Sequence, residues 1–429
     1  MSKTVSIRMY NVGFGDCFLI TLPGKRTVLV DAGFHSQGKG KFSGNELPDQ
    51  ILTDVMSIKG EPRIDVVIAT HRHQDHVFSF NSKKWAQFEV GEVWLPWVED
   101  RSNEQASRLW KKQQNFAMQL AAAMPTFSLD AGTRKNVEFM LWNAGINNLA
   151  SIDEAQGFEA SAWSNAGALD CLHEGFARRD RLRPRFLPET QKFPESFETA
   201  VLPDVLIHVL GPARDPKLIE ELDPEADGET YRALALRAAA VDAIPGEILD
   251  PPFDEQWIVP KSDLGVPPLT PTDEKRINEL ANSADAVFAA EKVDGMINST
   301  SLVLILEIGK ARLLLPGDAE WGTWKRILQD DEARTLLRAA TFFKVGHHGS
   351  HNATPKTLVE KILPRGIPAM ISTQEGEGTY RNDIPLTDLL TALTDRDISY
   401  VRSDLNEGQL PDGFEKGEEL KWIDLEVPC

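Results

Sequence analysis

Three histidines and an aspartate occur within six consecutive positions of the stretch THRHQDH, as His71, His73, Asp75 and His76. The chain has only nine histidines in 429 residues, so this concentration needs a reason. Neighbouring imidazoles repel one another once they are protonated, and a shared cation removes that repulsion. Imidazole nitrogens and carboxylate oxygens bind zinc at about 2.0–2.2 Å, and they also bind manganese or iron. The stretch therefore predicts a metal site.

Two later stretches also place ligand-type residues after an apolar run. Asp318 ends the run LLLPGD, where Gly317 lets the backbone come close to an ion, and His347 and His348 follow the run FFKVG. A Gly-Asp pair after a strand is by itself more often a turn, and a histidine pair is more often a surface feature. Three such clusters in one chain nevertheless favour a metal centre. The sequence leaves open which of the two histidines is the ligand.

Each cluster follows a stretch that is typical of a β-strand, and the run IDVVIAT before His71 is apolar on both faces. Loops at the C-terminal ends of strands are a common place for catalytic residues. Strand patterns recur near both ends of the chain, including a hairpin predicted to turn at Gly309 and Lys310, whereas the middle has helical patterns. We therefore predict a single α/β domain over residues 1–429, with helical insertions at about 99–200 and 213–295.

Charge and cysteine content narrow the class of protein. A net charge of -19 repels nucleic-acid backbones over much of the surface, which counts against a passive DNA coat. It does not exclude a nuclease, because bound divalent ions reverse the potential locally. Three widely spaced cysteines suggest neither a disulfide framework nor a zinc knuckle. With no leader pattern and no run near the ~20 apolar residues of a membrane helix, a cytoplasmic protein away from the membrane is expected.

The motifs occur in an order that resembles a known superfamily. The series NVGFGDCFLI, VLVDAG, THRHQDH, LLLPGDAE and KVGHHGS is similar to the metallo-β-lactamase fold superfamily, and in particular to the hydrolase domain of ComEC-type DNA-uptake proteins. The resemblance covers roughly residues 1–98 and 296–405. It implies a four-layer αββα sandwich, interrupted here by the helical insertions, and a metal-dependent hydrolase that uses two divalent ions.

The resemblance also implies which residues bind each ion. By position, His71 and His73 match ligands of the first ion, and Asp75 and His76 match ligands of the second. Asp318 matches the carboxylate that bridges both ions. Zinc is the first expectation for both positions, with manganese or iron as alternatives.

The remaining matched residues complete the second ion and support the loop. His347 or His348 matches its last ligand, and Asp31 matches an aspartate that braces the histidines by hydrogen bonds without binding metal. Two ions ~3.5–4 Å apart would lower the pKa of a shared water toward ~7 and supply hydroxide. They would also clamp the oxygens of a phosphoryl or carbonyl group. Asp75, which could orient the nucleophile, and Asp318 are therefore the expected catalytic residues.

One expected ligand has no match. The superfamily usually has a further histidine after a strand between these motifs, and here that strand ends with Gly211 and Pro212. His208 lies three residues before Gly211, inside the strand, and we predict that it is a core residue or supports a ligand from behind. The first ion would then rely on His71, His73, the bridging aspartate and water.

Substrate contacts are predicted from position and charge alone. Lys344 and Ser350 flank the last histidines and could touch a substrate phosphate. The acidic chain also has five arginines in the segment 177–186, namely Arg178, Arg179, Arg181, Arg183 and Arg185. These could form a phosphate-binding rim, since arginine matches phosphate oxygens, or they could be a solvated helix end.

Three functions fit this sequence. We favour phosphodiester hydrolysis on DNA, RNA or a cyclic nucleotide, which makes a nucleic-acid substrate one expected partner. The first alternative is hydrolysis of an ester or thioester of a small acidic metabolite, which suits the negative charge of the chain. The second is a metal-binding effector component that docks a partner protein through the insertions. A basic rim around the metals would favour the phosphodiesterase, and a closed uncharged pocket would favour the ester or thioester hydrolase. A large apolar patch on residues 101–200 would favour the effector component.

Overall fold

The computed structural model describes the greater part of the chain in separate ranges. The described residues are 4–34, 39–124, 134, 137–138, 140–141, 165–180, 183–222, 224, 229–230, 286–350, 353–375, 384–405 and 410–429. The strands within them are β1 (Thr4–Tyr10), β2 (Phe18–Leu22), β3 (Arg26–Val30), β4 (Arg63–Ile68), β5 (Glu89–Pro96), β6 (Arg178–Arg179), β7 (Arg185–Leu187), β8 (Glu195–Thr199), β9 (Leu202–Gly211), β10 (Val303–Ile308), β11 (Ala311–Leu315), β12 (Phe342–Lys344), β13 (Pro368–Ile371), β14 (Ser399–Arg402), β15 (Phe414–Lys416) and β16 (Trp422–Pro428).

Helices cover the strands and connect them. The α-helices among the described residues are α1 (Glu46–Lys59), α2 (Gln74–Val77), α3 (Glu104–Ala123), α4 (Asn165–Asp170), α5 (Pro216–Glu220), α6 (Ala286–Asn298), α7 (Trp321–Gln329), α8 (Asp331–Arg338) and α9 (Thr387–Asp395). Short 3-10 or π turns occur at Phe78–Asn81, Lys83–Gln87, Trp97–Glu99, Cys171–Gly175, His347–Gly349, Leu358–Ile362 and Glu418–Leu420. None of the helices in the described ranges is both long and apolar enough to cross a membrane.

The strands form two sheets. Across the described residues the first sheet has the order β15-β16-β1-β2-β3-β4-β5-β6, with β7 also paired to β5, and the second has the order β14-β13-β12-β11-β10-β9-β8. Strands β3, β4 and β5 pair in parallel, and so do β11 to β14, while the outer strands near the chain ends pair antiparallel. The hairpin predicted at Gly309 and Lys310 is confirmed, because β10 and β11 pair on either side of that turn.

Three buried hydrophobic clusters separate four layers. The central cluster lies between the sheets and includes Ile7 of the first sheet and Ile207 of the second. The outer face of the first sheet packs against helix α1 through residues such as Ile51. The outer face of the second sheet packs against α7 and α9, through Trp324 and Leu389. The predicted αββα sandwich is therefore confirmed, with each sheet covered on both faces.

Burial on both faces explains the continuous apolar run of β4. Val66 and Ile68 belong to the central cluster, whereas Ile64 and Val67 belong to the cluster under helix α1. A strand that is covered on both faces needs apolar residues at successive positions rather than at alternate ones. Strand β4 therefore lies inside the molecule and ends at the site of the histidine stretch.

The described parts of the interval 99–200 contain strands as well as helices. Helix α3 packs against α6 through a separate cluster that includes Ala117, Leu120 and Val293. The interval also contributes β6 and β7 to the first sheet and β8 to the second. Much of both intervals lies outside the described residues, and their treatment as insertions into a single domain stays a prediction.

Candidate metal centre

The histidine loop, residues 70–77, leaves the C-terminal end of β4 and turns into helix α2. Its backbone is held by a second loop that follows β3, since the Ala32 N–H donates to the His76 carbonyl at 2.8 Å. A Cβ atom on Gly33 would lie 1.8 Å from the carbonyl oxygen of Asp75, so only glycine permits this approach. The sequence VLVDAG thus fits against THRHQDH because of its glycine.

Four side chains converge in one buried cluster, which we call the four-ligand cluster: Asp75, His76, Asp318 and His348. One ligand atom from each lies within 4.8 Å of the others. Nε2 of His348 lies 3.0 Å from Oδ2 of Asp75, and Nε2 of His76 lies 3.0 Å from Oδ2 of Asp318. Asp75 and His76 follow a strand of the first sheet, and Asp318 and His348 follow strands of the second, so the cluster lies where the sheets meet.

The opposite ring nitrogens of both histidines are already occupied. Nδ1 of His76 lies 2.8 Å from Oδ2 of Asp31, and Nδ1 of His348 lies 2.7 Å from the Ser372 carbonyl oxygen, which can only accept. Both histidines therefore direct Nε2 into the cluster. Asp31 also accepts hydrogen bonds from the backbone and hydroxyl of Thr70, at 2.7 and 2.8 Å. These hydrogen bonds hold the loop, and the role that the resemblance implied for Asp31, bracing without binding metal, stays a prediction.

The two neighbouring histidines after β12 point in different directions. His348 enters the four-ligand cluster, whereas Nδ1 of His347 lies 2.8 Å from the Ser350 hydroxyl and its Nε2 lies 3.5 Å from the Asn298 amide. Both residues have positive φ, at 45° and 54°, a conformation that costs non-glycine residues energy and often occurs at functional sites. The geometry favours His348 as the ligand, and it places Ser350 beside His347.

His71 and His73 form a second, smaller group. Nε2 of His71 lies 3.1 Å from Nδ1 of His73, and both rings are buried. In the part of the chain that the structure describes, no third candidate ligand completes a tight group with this pair. The nearest carboxylate to His73 belongs to Asp294 of α6, whose Oδ1 lies 3.3 Å from Nε2. Sequence reasoning missed Asp294, because no local motif surrounds it.

Burial and opposite charges shift the pKa values of the four-ligand cluster. Burial alone would raise the pKa values of Asp75 and Asp318, but neighbouring cationic groups, His76 first, hold both well below their usual range. Burial would lower the pKa of His76, but Asp318 and Asp31 raise it well above its usual range. The pKa of His348 is also raised, because its hydrogen bond to Asp75 outweighs its burial. Without a cation, the cluster therefore balances anionic carboxylates with protonated imidazoles.

His71 and His73 show the opposite behaviour. Burial, together with the neighbouring histidines, holds the pKa of His71 well below its usual range. Burial also lowers the pKa of His73 to about 3. Both rings are therefore neutral at pH 7 and keep a lone pair available for a ligand.

We expect the metal-free protein to release protons when it takes up zinc at pH 7. The pKa of His76 is raised well above its usual range, which keeps its ring protonated until a cation replaces the proton, and the raised pKa of His348 favours the same exchange, so roughly one to two protons should leave per chain. By the same sign, zinc affinity should rise with pH, because fewer protons compete for the rings. Calorimetry in two buffers of different ionisation enthalpy measures this number, and a value near zero would contradict these charge states.

A buried ion pair behind the cluster was not predicted. The Lys344 ammonium contacts the Asp16 carboxylate and lies 3.6 Å from Oδ1 of Asp318. Burial lowers the pKa of Lys344, but Asp16 and Asp318 raise it above its usual value. Lys344 was predicted as a substrate contact, whereas the structure places it among acidic groups behind the ligands. The stretch NVGFGDC already carried Asp16, but no histidine stood beside it to mark its role.

His208 lies away from the ligands. It is on β9, where Nδ1 lies 2.8 Å from the Ser196 hydroxyl and Nε2 lies 3.2 Å from the Glu307 carboxylate. Ile207 and Val209 belong to the central cluster between the sheets, so His208 points to the opposite face of the strand. These contacts connect neighbouring strands. They do not support the alternative that His208 backs a metal ligand.

The first arginines of the basic segment lie at the far end of the sheet. Arg178 and Arg179 of β6 pair with the first residues of β5, which are also level with the start of β4. The histidine loop follows the other end of β4. Because these strands run parallel, the placement does not support a rim formed over the metal centre by these two arginines.

The contacts of Arg185 do not support that rim either. Arg181 lies outside the described residues, and Arg183 is exposed. Arg185 pairs with Glu189 at 2.7 Å, and its guanidinium carbon lies 3.7 Å from the centre of the Phe197 ring. Its charge is therefore balanced within the protein.

The side chain of Arg72 ties the histidine loop to the interval that follows β5. Its guanidinium lies 2.9 Å from Glu99 and also donates to Gln113 of α3. Gln113 in turn donates to the Met296 carbonyl of α6 at 2.9 Å. Arg72 and Glu99 are both buried. The loop that carries the candidate ligands therefore packs directly on helices α3 and α6.

The donor set suits a divalent transition metal. The four-ligand cluster offers two imidazole nitrogens and two carboxylates, all buried, and Oδ1 of Asp75 has no hydrogen-bond partner among the described residues. A buried carboxylate oxygen without a donor is costly unless a cation neutralises it. The residues thus fit the metal that the sequence predicted, and His71 with His73 offer two further nitrogens.

Comparison with known proteins identifies part of the chain. No curated protein matches it. A family model described as the metallo-beta-lactamase superfamily matches residues 10–82, which include β2 to β4, the loop that carries Asp31 and the whole histidine loop. That superfamily consists mostly of metal-dependent hydrolases. Residues 10–82, here called the metallo-beta-lactamase segment, are thus similar to that superfamily, and they lie within an α/β sandwich that is consistent with its fold.

Proposed function

We propose that the protein is a metal-dependent hydrolase that cleaves phosphodiesters with two divalent ions. The observation that carries this proposal is the convergence of Asp75, His76, Asp318 and His348, each ligand atom within 4.8 Å of the others, beside the pair His71 and His73. The charge of Asp318 acts on both groups, since it contributes to the pKa values of the histidines in each. This position suits a carboxylate shared by two ions.

Each ligand has a defined task in this proposal. Asp318 is held by the backbone N–H of His347, which donates to Oδ1 at 3.0 Å, so that Oδ2 faces the cluster. Asp75 keeps Oδ1 available to orient a nucleophile. Bound divalent ions would supply hydroxide at neutral pH and stabilise the negative charge that develops on the phosphoryl oxygens. The residues behind the ligands keep the rings in the orientation that this chemistry needs.

The charge distribution favours a small phosphodiester over a long duplex. Among the described residues, two buried cationic side chains near the ligands already have acidic partners: Lys344 contacts Asp16, and Arg72 contacts Glu99. The net charge of -19 repels an extended nucleic-acid backbone. We therefore place cyclic nucleotides and short single-stranded ends before duplex DNA as substrates. A resemblance to ComEC-type hydrolases stays a prediction.

Hydrolysis of an ester or thioester is the second candidate. The paired cationic side chains near the ligands favour it too, because a substrate without a phosphate chain needs no basic rim around the ions. For an effector that docks a partner, a large apolar surface on residues 101–200 was the expected sign. Among the described residues, Met56 and Met118 are the large hydrophobic side chains that are exposed, and they lie on different helices.

A substrate screen of metal-loaded protein separates these functions. We expect zinc- or manganese-loaded protein to hydrolyse bis-p-nitrophenyl phosphate and a cyclic dinucleotide, and to act more slowly on duplex DNA than on single-stranded DNA or RNA. A thioester is included as the competing substrate. The control is the same protein treated with a chelator and then reloaded, which should lose and regain activity. Turnover of the thioester without any phosphodiester cleavage, with each metal tested, would replace the first candidate by the second.

A further inference from the structure

Helix α6 reaches the candidate metal centre from the part of the chain that the metallo-beta-lactamase segment does not include. It is the last described element of the interval 213–295 and carries Asp294 close to its C-terminal end. Oδ1 of Asp294 lies 3.3 Å from Nε2 of His73, and the aspartate side chain is 22% exposed while the histidine is 3% exposed. A carboxylate from outside the motifs therefore meets a buried candidate ligand.

The two nitrogens of His73 face different partners. Nδ1 lies 3.1 Å from Nε2 of His71, so the two lone pairs that could share an ion belong to these atoms. Nε2 lies 3.3 Å from Oδ1 of Asp294, and this contact is electrostatic because it lacks hydrogen-bond geometry. A neutral imidazole has one N–H and one lone pair, and a nearby carboxylate favours the N–H on the nitrogen that faces it, because it repels a lone pair there. Asp294 thus stands where it selects the form of His73 that binds through Nδ1.

The position of α6 is fixed on several sides. Its residues Ala290 and Val293 pack on α3, and the Met296 carbonyl accepts from Gln113 of that helix. A Cβ atom at Gly295 would lie 3.0 Å from the Leu222 side chain, so the glycine next to Asp294 lets helix α6 pack closely against Leu222. The contact with His73 therefore belongs to a packed helix.

We propose that Asp294 is a positioning residue for His73, and that through it helix α6 controls the affinity of the first ion. This inference rests on the proposed two-metal centre. It assigns a role in the site to residues between THRHQDH and LLLPGDAE, where the sequence lacks the histidine expected directly after β9. Partners of this kind typically change metal affinity by about 10–100-fold.

The test compares zinc affinities of wild type, Asp294→Ala and Asp294→Asn by competition with a chromophoric chelator. We expect Asp294→Ala to weaken one of two zinc ions by about 10–100-fold and to leave the other unchanged. Asp294→Asn should weaken it less, because its amide oxygen still presents a partial negative charge to Nε2. Glu104→Ala, which removes an exposed carboxylate from α3, is the matched control and should leave both affinities unchanged.

A second measurement reads the state of His73 in the wild type itself. Nitrogen-15 spectra of the zinc-loaded wild type report the state of each ring nitrogen of His73, assigned with a His73→Gln variant. A protonated Nε2 with a metal-bound Nδ1 would support the inference, and the reverse assignment would overturn it. Two unchanged zinc affinities in Asp294→Ala would also overturn it. If wild type itself binds no zinc, the proposed metal centre fails, and that result is distinct because it appears before any substitution.

Discussion

Asp318→Ala should abolish hydrolysis while leaving the fold in place. The variant removes the carboxylate whose Oδ2 lies 3.0 Å from Nε2 of His76 and whose charge acts on His71 and His73. If this group is shared by two ions, its loss removes the charge stabilisation that both supply. We expect kcat/KM for bis-p-nitrophenyl phosphate to fall by at least about 10³-fold, which corresponds to about 4 kcal/mol of transition-state stabilisation.

The matched control for this variant is His208→Gln, which changes a buried polar residue that lies away from the ligands. It should keep wild-type metal content and activity within a few-fold. Circular dichroism and thermal unfolding of both variants separate loss of chemistry from loss of structure. If folded, zinc-exposed Asp318→Ala retains more than a tenth of wild-type activity, the aspartate does not hold the ions that perform the reaction.

Arg72→Met should destabilise the protein more than any surface substitution. Arg72 and Glu99 are 3% and 6% exposed, and their side chains lie 2.9 Å apart. Removal of the arginine leaves the glutamate as a buried charge without its cation, which costs about 3–5 kcal/mol of unfolding free energy. It also removes the donor to Gln113, so the histidine loop loses its link to α3. Urea denaturation followed by tryptophan fluorescence measures the change.

Two control variants test whether the unpaired glutamate causes the destabilisation of Arg72→Met. Arg108→Met removes the same charge from an exposed pair on α3 and should change stability by less than about 1 kcal/mol. The double variant Arg72→Met with Glu99→Met removes both buried charges and should recover most of the lost stability. If the double variant is as unstable as Arg72→Met alone, the loss comes from packing and not from the unpaired glutamate.

The parts of the fold that sequence could predict are those encoded by neighbouring residues. An apolar run followed by His71 or Asp318 predicts both a strand and a candidate ligand at its end. Both features can be recognised because they are adjacent in the sequence. Alternation and turn residues likewise predicted the hairpin at Gly309. The two-sheet sandwich followed from these local patterns together with the resemblance that their order revealed.

The residues that were missed or misplaced depend on contacts between distant parts of the chain. Arg178 was predicted to be part of a rim or of a helix end, whereas it lies in β6, which pairs with β5 in the first sheet. Lys344 looked available from its position, but Asp16 of another strand connection neutralises it. Asp294 has no ligand-type neighbour and gains its meaning only from the packing of α6 beside the histidine loop. Local composition contains none of this information.

Hydrogen-bonded partners in the four-ligand cluster are separated by 242 residues between His76 and Asp318, and by 273 residues between Asp75 and His348. The entropy of closing such a span grows only with the logarithm of its length, so doubling the span costs about 0.6 kcal/mol. A chain with this topology can therefore lengthen between its ligands at almost no thermodynamic penalty. The span between His76 and Asp318 can therefore contain helix α6, which places Asp294 beside His73, without a large entropic cost to the site.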